Sequence, residues 1–292
     1  PKAGDPSLEL LPPPCSDQPP DIIVLDDTGN RFRRTPNQWP SGLTLPSGHD
    51  STLVVYKLHR PLPSKPKPGD SSAEVMEETR QLDLWQTVAQ HYANQRIVII
   101  SIEDLRDKDA PISSCLSWER TALDLVWQLL NVEDFAPLRD CGHLIVRMGL
   151  DGAVYFQRVL NPADKEPTYR AWLVYDPAGT EGTGVSARDG KMVGYGSAFT
   201  AALVQKLALA EPAERAALGT TAPNIPGCLE IGIKAGLLAS RRLLELGFGD
   251  KGAAQPNYPA AELFAATKGA DFACQPIPFI PQASVPDRGY WR

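Results

Sequence analysis

Five short runs of uninterrupted apolar residues constrain this chain more than anything else in it: DIIVLDD (21–27), TLVVYKL (52–58), RIVIISI (96–102), HLIVRMG (143–149) and AWLVYDP (171–177). Each has the length of a strand and is rich in β-branched residues. A strand with one wet face alternates apolar and polar residues, whereas continuous apolarity marks burial on both faces, as in a parallel sheet covered by helices. Helical patterns at 82–92, 118–130, 198–209 and 227–246 lie between and after these runs, the last followed by Gly247 where a terminating glycine belongs. The alternation predicts an α/β fold with right-handed crossovers: a doubly wound, mainly parallel sheet with helices on both faces, in three layers. Ala153 to Val159 is predicted to return as a hairpin partner of 143–149, with Asp151-Gly152 as the tight-turn signal.

At 292 residues the chain has room for one large domain with its own core. Its 28 prolines concentrate in the first twenty residues, in PLPSKPKP (61–68) and in 276–286, stretches that resist regular structure. The expected layout is a proline-rich leader at 1–20, an α/β domain at 21–275, and a tail at 276–292 linking to other domains of a longer chain. A net charge of −6 argues against a nucleic-acid partner gripped through a general basic field. No apolar run approaches the roughly 20 residues of a spanning helix, and the first residues lack a secretory apolar core. The expectation is a cytoplasmic protein without a membrane partner. Cys15, Cys115, Cys141, Cys228 and Cys274 form no CxxC pair and read as incidental thiols, and the four histidines are equally scattered.

In open α/β sheets ligands bind beyond the carboxyl ends of the strands. There this chain places Asp26, Lys57, Ser101, Glu103, Asp104, Arg147, Asp176 and, beyond it, Glu181. The sharpest motif follows in KMVGYGSAFTAALVQKL (191–207), where Gly194 and Gly196 bracket Tyr195 and Ser197 opens a helix. Free N–H groups of a first helical turn carry partial positive charge and hold phosphate without a basic side chain. The plainer alternative makes the glycines packing residues and Ser197 an N-cap. RMGLDGAVYF (147–156) adds a second glycine turn through Gly149, Asp151 and Gly152, where backbone can approach a ligand closely.

Taken in this order, the two motifs resemble those of the ribokinase-like (PfkB) superfamily of small-molecule kinases. Its members carry a strand ending in Thr-Leu-Gly-x-x-Gly, a hairpin, and then Asp-Thr-x-Gly-Ala-Gly-Asp-x-Phe leading into a helix. The corresponding residues here are Arg147 to Gly152 and Met192 to Phe199. DDTGNRFRRTPNQW (26–39) is similar to the family's Asp-x-Asn-x-Arg strand end, and IISIEDLR (99–106) stands where the family has an Asn-x-x-Glu magnesium motif. LSWERTALDL (116–125) and the whole layout further resemble a ribokinase-like module of large bacterial proteins with ryanodine-receptor-type repeats.

The resemblance implies ATP or another nucleoside triphosphate with Mg2+, held by Arg147, Gly149, Asp151, Gly152, Gly194, Tyr195, Gly196 and Asn224. Glu103, Asp104 or Glu181 would hold the metal. The family's signature aspartate, the general base on the substrate hydroxyl, falls on Ser197, and a hydroxyl has no proton affinity near neutral pH. Asp26, Asp27 or Asp176 would have to replace it. The family's substrate loop would precede residue 21, where this chain has only its proline-rich leader. The expected function is therefore a nucleotide-binding sensor or regulatory module with a degenerate catalytic site. The alternatives are a working kinase acting on a small hydroxylated ligand and a scaffold that binds no nucleotide. Arg147 has two readings, phosphate contact or an ion pair with Asp176 or Glu181. Lys57 and Arg60 face either the substrate pocket or solvent. Trp118 and Trp127 read as packing residues, and Gly232 and Gly236 serve either an adenine pocket or tight helix packing.

Overall fold

In a computed structural model the described residues are 21–26, 52–58, 96–105, 118–132, 135–139, 141–150, 152–159, 167–177, 194–219, 224–245 and 272–278. The strands are β1 (Ile22–Asp26), β2 (Leu53–Lys57), β3 (Arg96–Ser101), β4 (His143–Arg147), β5 (Gly152–Val159), β6 (Thr168–Tyr175) and β7 (Ala273–Pro276). The helices are α1 (Ile102–Leu105), α2 (Trp118–Asn131), α3 (Ala136–Arg139), α4 (Tyr195–Leu209), α5 (Pro212–Ala216) and α6 (Gly227–Glu245). The expected helix at 82–92, Gly247, and the leader lie outside the described residues.

The strands form one sheet in which spatial order follows chain order, β1 to β7. β1 to β4 pair in parallel, and β5, β6 and β7 add antiparallel, so the sheet is mostly parallel in strand direction. All five apolar runs are strands. β2 and β3 are buried along their whole length, as continuous apolarity required. Because successive side chains point to opposite faces, one register builds two cores. Val54, Val98, Ile100, Leu144 and Val146 pack with Ala122, Leu125, Val126 and Leu129 of α2, whose spacing is one helical stripe. Leu53, Val55, Ile97, Ile99 and Ile145 pack on the other side with Phe199 and Leu203 of α4 and Leu229, Ile233 and Leu237 of α6. Helices therefore cover both faces, and each such side chain taken out of water contributes about 1.5–3 kcal/mol.

The β4–β5 hairpin is present, with Met148 N–H donating to the Gly152 carbonyl at 2.8 Å. Its left-handed residue is Gly149, at φ +73°, while Gly152 is already the first residue of β5. β7 was not legible as a strand, since ACQP is short and ends in proline. It adds to the edge of β6, where a missing N–H is tolerated, and Ile277 N–H continues the pairing to the Ala171 carbonyl at 2.8 Å. On the α4 and α6 face, His143 Nδ1 and the Tyr155 hydroxyl lie 2.7 Å apart, both buried, with Tyr155 stacked on Trp172. No helix among the described residues is long and apolar enough to cross a membrane.

Candidate anion site at a helix N-terminus

The parallel register brings the carboxyl ends of β1 to β4 to one edge, with Asp26 beside Lys57 and Ser101 beside Arg147. Lys57 and Arg147 continue the positions of Val55 and Ile145, so both lie on the α4 and α6 face. α4 starts at the same edge. Its N-cap is Gly194, held left-handed at φ +99° and ψ −17°, and Ala198 N–H closes the first turn on the Gly194 carbonyl at 2.9 Å. The helix thus begins at Tyr195, three residues before the apolar pattern suggested, because the glycine turn is itself the cap. Ser197 is a first-turn residue and not the N-cap.

Two cations meet this first turn. Lys57 is only 3% exposed, yet its Nζ reaches the exposed Ser197 and donates to Oγ at 3.1 Å. Gly196 makes room for the approach. An ideal Cβ there would stand 3.1 Å from Arg147 Nη2 and 3.3 Å from Lys57 Cε. Gly196 is therefore not the turn, which Gly194 makes; it is the gap through which both cations reach the helix end. Arg147 also lies over the Phe199 ring, its Cζ 5.7 Å from the ring centre, which orients the guanidinium across the base of α4. A helix terminus with partial positive charge, an ammonium and a guanidinium at one point can hold a multiply charged anion.

The second glycine turn is adjacent. Leu150 of the β4–β5 loop packs on Tyr195, and Leu243 of α6 completes the cluster. Tyr195 is buried, so its side chain joins the two turns and only its backbone can face a ligand. α4 and α6 run antiparallel: Phe199 meets Gly236, Leu203 meets Gly232, and Ser240 Oγ donates to the Tyr195 carbonyl at 3.1 Å. A Cβ on Gly232 would stand 2.6 Å from Leu203 Cδ1, and one on Gly236 2.7 Å from Phe199 Cδ2. Of the two readings for these glycines, the structure shows tight helix packing.

The other sequence candidates divide. The Asp176 carboxylate is engaged at 2.6 Å by Arg241 of α6, whose guanidinium covers Phe272. Asn224 precedes the start of α6, whereas the anion site faces the end of that helix, about 25 Å away at ~1.5 Å per residue. It is not part of this site. Asp26 ends β1 next to Lys57 in register, but its side chain lies outside the described residues, as do the side chain of Glu103 and all of Asp151 and Glu181. Asp104 is half-buried on α1. Among the described residues no three His, Cys, Asp or Glu side chains gather as a metal site. The pairing that sequence reasoning missed is Lys57 with Ser197. Its one signal was a lysine ending an otherwise apolar strand, LVVYK. No known family model matches the chain, and no curated protein does.

Proposed function

We propose that this chain is a ribokinase-like nucleotide-binding domain with a degenerate catalytic site, acting as a sensor or regulatory module. The observation that carries it is the convergence of Lys57 and Arg147 on Gly196 and Ser197 at the start of α4. The donors that meet at Gly196, where the missing Cβ lets Lys57 and Arg147 approach, fit the phosphates of ATP or another nucleoside triphosphate. Such a nucleotide would bring phosphate charge to the site. Backbone of Gly149, Gly152, Gly194, Tyr195 and Gly196 would hold the phosphates, and Arg147 and Lys57 would neutralise their charge. Ser197 supports binding over phosphoryl transfer, since a neutral hydroxyl has no proton affinity near neutral pH and its oxygen already accepts a hydrogen bond from Lys57. Magnesium enters this reading only as the companion ion of the nucleotide, with Asp104 the described carboxylate of the expected motif. The doubly wound course of the sheet, a cytoplasmic setting and contacts with further domains belong to the same proposal.

Thermal melting of the chain with ATP, ADP and GTP, each with magnesium, tests it. Binding to the native state raises the melting temperature in proportion to the logarithm of ligand concentration. Gly196→Val should abolish that rise, because the branched side chain drives into Lys57 and Arg147. A flat response to all three nucleotides in the parent would overturn the proposal.

A further inference from the structure

We infer that Ser240 and Thr200 are positioning residues for the first turn of α4: their hydroxyls hold the two peptide planes that carry the Gly196 and Ser197 N–H groups. This rests on the nucleotide reading of that turn and adds to it the residues that aim its backbone donors. Thr200 of α4 is 5% exposed and Ser240 of α6 is 1% exposed. A buried hydroxyl is costly unless hydrogen-bonded, and in a helix its ordinary acceptor is the carbonyl four residues back. Both residues use that acceptor. Thr200 Oγ1 donates to the Gly196 carbonyl at 2.9 Å, and Ser240 Oγ donates to the Gly236 carbonyl at 2.9 Å. Back-bonding alone accounts for their burial but not for the second contact of Ser240. Its proton is shared with the Tyr195 carbonyl, across the helix crossing, at 3.1 Å. Hydroxyls from two helices thus grip consecutive carbonyls of the α4 first turn.

A trans peptide is planar, with the carbonyl of one residue and the N–H of the next pointing opposite ways. Holding the Tyr195 carbonyl therefore fixes the direction of the Gly196 N–H. Holding the Gly196 carbonyl likewise fixes the Ser197 N–H. Both amides precede Ala198, whose N–H closes the first turn on the Gly194 carbonyl. The N-cap is a glycine, so no capping side chain orients them from the other side. Glycine also leaves this backbone the most freedom, and an outside hold is what narrows it. Donors already aimed at a ligand lose less freedom when it binds, which raises affinity without adding a contact. Ser240 and Thr200 need not touch the ligand for this; they act through the peptide planes of Tyr195–Gly196 and Gly196–Ser197.

Two pairs of variants test this. Ser240→Ala and Thr200→Val delete the hydroxyls, whereas Ser240→Thr and Thr200→Ser keep them. Calorimetric titration with sodium phosphate and with ATP and magnesium gives the affinities. The amide proton–nitrogen spectrum of the ligand-free chain reports Gly196 and Ser197 directly. Ser240→Ala should move the Gly196 signal and Thr200→Val the Ser197 signal. Each should weaken whichever of the two ligands the parent binds about two- to tenfold, the equivalent of one neutral hydrogen bond. The variants that keep the hydroxyl should bind as the parent does, a rescue that a packing role would not give. Thr200→Ser removes only a methyl group, so it keeps the rescue testable should Ser240→Thr crowd the helix crossing. Unchanged affinity in Ser240→Ala and Thr200→Val, unmoved amide signals in them, or an equal loss of affinity in Thr200→Ser would overturn the inference. If the parent binds neither phosphate nor ATP, the nucleotide reading fails and the amide signals alone decide: movement supports the hold on the turn, and its absence overturns that too.

Discussion

The ring of Phe199 occupies the space that a side chain on Gly236 would need: an ideal Cβ at Gly236 stands within 3.0 Å of three of its ring carbons. Gly to Ala inside a helix ordinarily gains about 1 kcal/mol. Here Phe199 is fully buried between α6 and the sheet and cannot retreat, and overpacking of that kind costs about 1–3 kcal/mol. Gly236→Ala should therefore lower the urea midpoint. Gly232→Ala should cost less, because what it meets first is the flexible end of Leu203. Since Phe199 also underlies Arg147, Gly236→Ala should weaken phosphate binding as well. A stabilised Gly236→Ala would sink this account of the helix crossing.

Asp176 and Arg241 form a half-buried ion pair, with side chains 17% and 21% exposed. Removing one partner leaves a partly desolvated charge, and an effect of about 1–3 kcal/mol lies between the exposed and the fully buried cases. Asp176→Asn should cost stability on that scale, yet leave nucleotide and phosphate affinity unchanged. Chemical denaturation with parallel calorimetry separates the two. Loss of binding without loss of stability would return Asp176 to the ligand site.

Gly194 caps α4 at φ +99°, where an L side chain is strained, although a Cβ would make only an ordinary 3.4 Å contact with Leu243. Gly194→Ala should therefore cost about 1–2 kcal/mol through backbone strain alone. Gly227, at the start of α6 with open space and no positive φ, serves as the control. Equal midpoints for the two alanine variants would show that the left-handed cap is not required.

Burial holds the Tyr155 phenol protonated well above its ordinary value of 10.0, and the neighbouring Cys228 acts in the same direction. Burial likewise pushes the Cys274 thiol up to about 11, helped by Glu230. Both groups keep their protons in the folded state after the unfolded chain has lost them, so the unfolded state binds fewer protons and stability falls as pH rises. The loss should begin near pH 9 with Cys274 and steepen above 10 with Tyr155. Cys274→Ser should flatten the curve between 9 and 11. Tyr155→Phe should flatten it above 10, and lower stability at neutral pH by about 0.5–1.5 kcal/mol through loss of the buried hydrogen bond between Tyr155 and His143. Equilibrium unfolding across this range checks both slopes.

The strands were legible because burial on two faces demands uninterrupted apolar residues, and nothing but a covered sheet satisfies five such runs. α2 was legible for a related reason, its 122, 125, 126, 129 stripe being local. β7 was not, because ACQP has no pattern of its own and becomes a strand only by pairing with β6. The start of α4 was misplaced because Gly194 looked like part of a loop, and only its left-handed conformation shows it to be the cap.

For the site, the sequence by itself determined that two glycine turns follow β4 and β6 and that basic residues end apolar strands. Glycine and burial are properties of a residue and its near neighbours, so they can be read locally. Only the tertiary structure decided that Lys57 reaches Ser197 across 140 positions, that Gly196 is a gap for Arg147 and Lys57, and that Asp176 pairs with Arg241. Those choices depend on parallel register and on where α4 and α6 cross. Both are set by packing between residues far apart in the chain, which no local pattern records.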